Sequence, residues 1–328
     1  MIISKTPLRI SFAGGGSDLA SFYTEETGCV LSTTIDKYIY VSVKEHFDRN
    51  AILLRYSHEE HVQNPNDIEH PILKQAILEH KLNGIEITSS ADIPGGTGMG
   101  SSSSFTVGLL NALNEYCKRT SITLGQLAES ACDIEINKLG EPIGKQDQYA
   151  AAFGGFNFIS FHPDHSVSVD EVAIKDEVKK ILLNNLFLVY TGNTHRSRDI
   201  LTVQNEATKN NTSAKRSLRS LTQMARDLKV TLENGCTDDF GQYLHEGWML
   251  KKTLSNGISN SRIETLYETG LSSGALGGKV LGSGGGGFIL FYCPESKHDD
   301  FLWRFKSEKI LPFSFTDSGS SIIYRGMQ

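Results

Sequence analysis

The sequence predicts an α+β fold in two lobes, and three observations carry that expectation. The chain has 328 residues, long enough for a full core and long for a single compact domain. Its first half carries a strand, a glycine loop and a helix in direct succession, Ile85 to Ile93, Pro94 to Gly100, then Ser101 onward. Its second half reads as helices with strands of their own. With 39% hydrophobic and 21% charged residues the chain is globular, and no apolar run approaches the ~20 residues that a membrane span needs.

Taken in order, residues 28–44 read as strand, with Val30, Ile35, Ile39, Val41 and Val43 supplying a β-branched, partly alternating pattern, and 51–55 reads as a further strand. Residues 68–80 look helical. Ile85, Ile87, Ser89, Ala91 and Ile93 then alternate with polar neighbours, as a half-buried strand does. Phe105, Leu109, Leu113 and Tyr116 recur near helical spacing from a serine-rich start. A further helix is expected over 122–138 and a strand over Leu186–Tyr190. A charged helical stretch follows over 197–233, then helices over 238–255, 259–270 and 295–306 and strands over 287–292, 310–315 and 320–324.

Glycine clusters punctuate these elements at Ala13 to Asp18, Pro94 to Ser104 and Gly282 to Gly287. Glycine lets backbone N–H groups approach an anion and adopt positive φ, so the clusters point to a phosphate site. In the second cluster a helix N-terminus faces the loop, and serine hydroxyls can add hydrogen bonds to phosphate or a ligand to Mg²⁺. A Walker loop is excluded because serine, with no lysine nearby, follows Gly100. A dinucleotide fingerprint fails too, since Glu115, at the acidic offset, falls inside a helix.

Glu135 shares an apolar helical stripe with Leu124, Ala128, Ala131 and Leu139. A buried carboxylate needs a cation, either a basic side chain or a metal, and the helix alone leaves both open. Asp147 opens a short helix after Gly144-Lys145-Gln146, where the dipole favours a carboxylate. The net charge of −6 and scattered basic residues give no nucleic-acid stripe. Five distant cysteines without a C-x-x-C pair suggest neither disulfides nor zinc, and with no signal-peptide pattern at the start the expected setting is the cytoplasm. His58…His61 and His162…His165 read as solvated histidines.

The segments Thr6 to Gly15, Pro94 to Ser104, Gly144 to Gln148 and Lys279 to Gly287 resemble, in order and spacing, the signatures of the GHMP small-molecule kinases, over nearly the whole chain. Within that superfamily the opening Pro7 to Asp18 and the Gly144 to Ala151 stretch look most similar to the D-glycero-D-manno-heptose 7-phosphate kinases, with fucokinase-like enzymes second. The resemblance implies an N-terminal lobe similar to ribosomal protein S5 domain 2 over 1–185 and a ferredoxin-like C-terminal lobe over 186–328. It implies ATP and Mg²⁺ as cofactors and a small sugar phosphate as substrate, without nucleic acid or membrane, and leaves homo-oligomerisation open.

By the same resemblance Gly95, Gly96, Thr97, Gly98, Met99, Gly100, Ser101, Ser102 and Ser103 would cradle ATP, with Ser102 and Glu135 at the metal. Asp147 would be the catalytic aspartate and Arg9 its basic neighbour. Gly284 and Gly285 would help close the substrate site beside Gly15, Gly16 and Ser17. Asp18 suits two vicinal sugar hydroxyls, or else it caps the Leu19 to Tyr23 turn. Galactokinase-like members carry Gly-Glu-His after the first motif, whereas this chain has Gly15-Gly16-Ser17-Asp18, which puts a galactose-type pocket in doubt. Arg196 and Arg198 have the chemistry of a phosphate clamp, or are solvated helix-face charges.

Overall fold

In the computed structural model, which describes residues 1–118, 122–194 and 197–326, β1 (Ile2–Ala13) leads into the first glycine cluster. It pairs antiparallel with β2 (Gly28–Glu45), and α1 (Ala20–Tyr23) turns the chain between them. β3 (Ile52–Arg55) and β4 (Glu59–Val62) form a hairpin. After α2 (Pro71–His80), β5 (Ile85–Ala91) lies parallel to β3 and antiparallel to β2.

α3 (Ser101–Tyr116) leaves the glycine loop and packs on β1 and β2, burying Val107, Leu109 and Leu113. α4 (Leu124–Cys132) opens with a capping box between Thr123 and Gln126. It then widens into a π-helical turn over Asp133–Lys138, where the Leu139 amide reaches back to the Ile134 carbonyl at 3.0 Å. The single helix expected over 122–138 is thus two pieces, and the wider turn, a device common at functional sites, carries Glu135. α5 (Gln146–Phe153), β6 (Asn157–Phe161), β7 (Val167–Glu171) and α6 (Asp176–Asn185) follow.

β8 (Leu186–Tyr190) leads to α7 (Ser197–Asn210), α8 (Thr212–Glu233), α9 (Phe240–Lys252) and α10 (Ser261–Ser272). The helical stretch expected over 197–233 breaks at Asn211, whose side chain accepts the Ser213 amide at 2.8 Å and restarts the helix. β9 (Gly277–Val280), β10 (Phe288–Tyr292), α11 (His298–Arg304), β11 (Ile310–Leu311), β12 (Phe315–Thr316) and β13 (Ser321–Arg325) complete the chain.

Among the described residues the strands form two sheets. One runs β13-β1-β2-β5-β3-β4 with β12, β6 and β7 branching from it, and the other is antiparallel in the order β11-β8-β10-β9. The chain passes from the first to the second at the α6–β8 junction. It does not stay there to its end: β12 pairs with β2 and β13 with β1. The strand expected over 310–315 is therefore two short strands in different sheets, separated at Pro312, which cannot donate to a ladder. The larger apolar core spans Leu8 and Ile10 on one side and Leu281 and Phe288 on the other, so the two sheets meet through buried contacts. No helix among the described residues is long and apolar enough to cross a membrane.

Candidate active site

A cleft of about 490 Å³ opens where the two sheets meet, lined by the loop before α3, the first turn of α5, the β1–α1 turn and the loop after β9. β1 brings Arg9 to its floor, 3% exposed. Arg9 donates from Nε to Asp147 Oδ1 at 2.7 Å and from Nη2 to Oδ2 at 2.8 Å, a bidentate pair. Its remaining nitrogen, Nη1, donates to the Gly98 carbonyl at 2.6 Å, and its amide to the Met99 carbonyl at 3.1 Å. One arginine thus ties the first motif to the glycine loop and to Asp147. Gln146 Nε2 adds a bond to Asp147 Oδ1 at 2.9 Å and is itself fixed by Ser11 Oγ at 2.8 Å. Oδ2, with a single donor, faces Gly100.

Glu135 is 1% exposed. Ser102 Oγ donates to its Oε1 at 2.8 Å and Gln148 Nε2 to its Oε2 at 2.7 Å. Burial pushes its carboxyl above the usual range, against the pull of these hydroxyl and amide donors. No ion pair reaches Glu135 among the described residues. Of the two readings left open above, a structural salt bridge is therefore absent.

Asp18 is buried beside the cleft. Its Oδ1 accepts the Gly16 amide at 3.0 Å and its Oδ2 the Gln146 amide at 3.3 Å. Burial, followed by the charge of Asp147, raises its carboxyl above the ordinary range. The N-cap of α1 is Leu19, with no side-chain cap, so Asp18 does not serve as the helix cap. Gly144 is the residue that makes room for it: a Cβ there would lie 2.0 Å from Asp18 Oδ2.

Not every candidate residue reaches the cleft. Arg9, Gly15, Gly16, Asp18, Gly96, Gly98, Gly100, Ser101, Ser102, Ser103, Glu135, Asp147 and Arg198 line it. Ser17 is fully buried, its hydroxyl spent on the Gly14 and Cys29 carbonyls, and so holds the turn rather than a ligand. Thr97 bonds back to the Pro94 carbonyl, Met99 belongs to the core, and Gly95 opens onto a neighbouring groove. Gly284 and Gly285 turn away toward Ile258, and Gly282 and Ser283 line the cleft in their place. Arg198 sits at the rim, paired with Glu141 at 3.3 Å, and Arg196 lies outside the described residues.

Residues 71–155 match the family model of the GHMP kinases N terminal domain, and residues 228–307 match that of the GHMP kinases C terminal. The chain is 32% identical, over 97% of both lengths, to the D-glycero-alpha-D-manno-heptose 7-phosphate kinase of Campylobacter jejuni. This chain belongs to the GHMP kinase family. It is also similar to a crystal structure of a D-glycero-D-manno-heptose 1-phosphate kinase from Bacteroides thetaiotaomicron, 26% identical over the full length of both with a TM-score of 0.82. A bifunctional fucokinase/GDP-fucose pyrophosphorylase of Arabidopsis thaliana is 25% identical over 89% of this chain and 30% of its own length. The protein is accordingly a two-lobed GHMP kinase, a phosphotransferase acting on an alcohol group.

Four further side chains of this GHMP kinase were not singled out from sequence. Gln146 and Gln148 flank Asp147, and successive residues of one helical turn divide between Asp147 and Glu135; the Gln-Asp-Gln spelling was the available signal. Lys251 on α9 and Lys279 on β9 also line the cleft, both buried. Lys279 opens the third motif, whereas nothing in its helix distinguishes Lys251. Lys145, inside the second motif, turns away to Glu129 at 3.1 Å and the His165 carbonyl at 3.0 Å.

The residues present fit a divalent cation. Glu135 is a buried carboxylate held only by neutral donors, Ser102 places a hydroxyl oxygen beside it, and the buried amide oxygen of Gln148 has no partner. Magnesium is commonly held by one or two protein oxygens together with substrate phosphates, and this set meets that description. When bound, the ion would neutralise developing charge on the nucleotide phosphates.

Proposed function

We propose that this GHMP kinase uses ATP and Mg²⁺ to phosphorylate the anomeric C1 hydroxyl of D-glycero-D-manno-heptose 7-phosphate, giving the 1,7-bisphosphate for nucleotide-activated heptose and surface polysaccharide. The observation that carries the reading is Asp147 Oδ2 facing Gly100 at the mouth of the glycine loop, with Asp18 on the same cleft wall. The glycine loop and the N-terminus of α3 receive the nucleotide phosphates. A groove lined by Tyr56, His70 and Phe105, continuous with the cleft at Gly96, Ser101 and Ser102, is apolar and aromatic enough for the base. Ser102 and Glu135 hold the metal.

Asp147 positions the acceptor hydroxyl and takes its proton late in the transfer. Any carboxylate is a far weaker base than a sugar alkoxide, but a loose phosphoryl-transfer transition state asks little of the nucleophile. Alignment and charge neutralisation supply the rate. Asp18 accepts sugar hydroxyls, and Arg198 at the rim meets the acceptor's own phosphate.

ADP release with Mg-ATP is to be measured against D-glycero-D-manno-heptose 7-phosphate, the unphosphorylated heptose, L-fucose, galactose and mevalonate, with the product's phosphate position read by ³¹P NMR. A new anomeric phosphate on the heptose 7-phosphate is the expected result. Turnover confined to L-fucose or another unphosphorylated sugar would replace this acceptor with a fucokinase-like one and remove the role of Arg198. ATP binding without turnover on any acceptor would favour a non-catalytic sensor of ATP and sugar, a reading against which the intact Arg9–Asp147 pair stands.

A further inference from the structure

Lys251 and Lys279 are charged groups that the roles above leave unused. They come from different elements of the second sheet's side, α9 and β9, and both line the cleft at 7% and 6% exposure. Lys251 Nζ donates to the Gly282 carbonyl, and Lys279 Nζ donates to the Phe12 carbonyl at 3.0 Å. Each ammonium has three N–H donors and spends one on the protein. Neither forms an ion pair among the described residues.

The surrounding carboxylates offset Lys251 only in part, and none among the described residues is in contact with either lysine. Arg9 and Asp147 neutralise each other, and Asp18 is engaged by two backbone amides. Burying two ammonium groups in this way is costly, and apolar side chains of similar length would fill the space more cheaply. Burial and the neighbouring cations push Lys251 down to about 8 and Lys279 well below its ordinary value. Two buried ammonium groups that keep unspent N–H donors and touch no carboxylate among the described residues offer an anion its partners.

The position selects the anion. Lys251 and Lys279 each lie within electrostatic reach of Arg9, which bonds the Gly98 carbonyl of the phosphate loop and the catalytic Asp147. Arg198, by contrast, stands at the rim. We propose that Lys251 and Lys279 form, with Arg9, an anion subsite that holds the transferred phosphoryl group of the nucleotide. In the transfer the acceptor oxygen forms a bond to the γ-phosphorus. The bond from that phosphorus to the β–γ bridging oxygen breaks, its electron pair leaves with ADP, and the hydroxyl proton passes to Asp147. The lysines donate hydrogen bonds to the equatorial oxygens and exchange no proton.

The inference rests on the phosphotransferase activity and not on the identity of the acceptor, so its first test uses nucleotide alone. Full-length wild type, Lys251→Met and Lys279→Met are titrated with Mg-ADP and Mg-AMP-PNP, which differ by the terminal phosphoryl group. The expected result is a loss of about tenfold or more in Mg-AMP-PNP affinity with Mg-ADP affinity unchanged. With the acceptor found in the panel above, kcat falls by about 10²-fold or more, and Lys251→Arg recovers part of it.

Melting temperature gives the check on folding: both Met variants should melt at or above wild type, since an uncompensated charge is removed. Equal losses for the two nucleotides, or unchanged affinities with an unchanged kcat, would overturn the proposal. So would unchanged nucleotide binding with a raised KM for phosphorylated acceptors alone, which would assign the lysines to the acceptor's own phosphate. The two Met variants stand on separate elements, so failure of one to fold leaves the other to decide.

Discussion

Arg9 meets Asp147 side-on, Nε to Oδ1 at 2.7 Å and Nη2 to Oδ2 at 2.8 Å, across 138 positions of sequence. The pair fixes the carboxylate's plane and leaves one lone-pair direction of Oδ2 toward the cleft. Replacing Asp147 by Asn turns one oxygen into an N–H₂ group that faces a guanidinium donor. Turnover should fall by about 10²–10⁴-fold with the KM for ATP little changed, measured by ADP release. The lost charge-assisted bonds should also cost about 1–3 kcal/mol in a denaturant titration. Near-normal turnover in a folded variant would remove both the base and the positioning role.

How much of this was legible in the sequence depends on the range of the interaction that decides each feature. The strand, glycine loop and helix around Pro94 to Ser101 are local, and α3 begins at Ser101 within the predicted start. Glu135 was identifiable because an apolar stripe exposes a misplaced carboxylate, although the π-turn that presents it was not. What escaped depends on long-range pairing. β12 and β13 return to the first sheet because β1 and β2 offer them edges, which no local pattern in 310–325 records. Lys251 reads as an ordinary basic residue at a helix end, and only the packing of α9 under the cleft buries it. Conversely Ser17 follows glycines as a ligand residue would, yet its hydroxyl ties the Gly14 carbonyl of the turn to the Cys29 carbonyl of β2.

Glu135 and Ser102 should act as one unit toward the metal. Glu135→Gln should weaken the apparent Mg²⁺ affinity by about 100-fold and Ser102→Ala by less, with the double variant losing less than the product of the two. Burial raises the Glu135 carboxyl, so the folded chain holds its proton more tightly than the unfolded chain. Its contribution therefore turns unfavourable as pH rises from the unfolded value through the folded one. In metal-free buffer Glu135→Gln should gain on wild type in melting temperature as pH is raised from the ordinary glutamate value of about 4.3 upward, and Mg²⁺ should restore wild type selectively. A parallel pair of melting curves over that range would contradict the assignment.

Lys251 gives the opposite sign. Its folded value is lowered to about 8, chiefly by burial and then by Arg9, with Asp18 and Asp147 pulling the other way and Lys279 adjacent. Below pH 8 both states are protonated and the full cost of the buried ammonium is present. Between about pH 8 and the ordinary lysine value near 10.4 the unfolded chain binds more protons, so that cost is relieved as pH rises. Lys251→Met should therefore be stabilised relative to wild type by an amount on the order of 3 kcal/mol at pH 7, shrinking by pH 10. Urea titrations at the two pH values test it, and an advantage independent of pH would show that Lys251 is not charged in the folded chain.

Gly98 and Gly282 bring the two glycine loops into backbone contact. A Cβ on Gly282 would lie 2.6 Å from Gly98 Cα, and one on Gly98 would lie 2.5 Å from the Leu281 carbonyl oxygen. Gly140 offers the control, because its φ of +64 matches the +65 of Gly282 but nothing lies within 4 Å of it. Gly140→Ala should cost only the left-handed backbone penalty, roughly 1 kcal/mol. Gly282→Ala adds a backbone clash, so it should cost about 2–4 kcal/mol and raise the KM for ATP as the loops part. Equal destabilisation of the two would mean that the contact is soft.

In the proposed function Arg198 meets the acceptor's own phosphate at the rim. Its side chain is 61% exposed and among the described residues it pairs with Glu141 at 3.3 Å, an ion pair worth little to stability in water. Arg198→Ala should accordingly leave the melting temperature within a degree or so of wild type. Against a phosphorylated acceptor the same change removes a bidentate donor from the far end of the substrate, away from the reacting bond. Such remote binding acts equally on ground and transition states, so KM for the acceptor should rise by about tenfold with kcat held. For the dephosphorylated sugar neither constant should move. Glu141→Gln frees the guanidinium from its competitor and should shift the phosphorylated acceptor's KM downward. If Arg198→Ala instead lowers kcat for both sugars alike, the rim arginine belongs to closure of α7 over the cleft and not to recognition of the acceptor's phosphate.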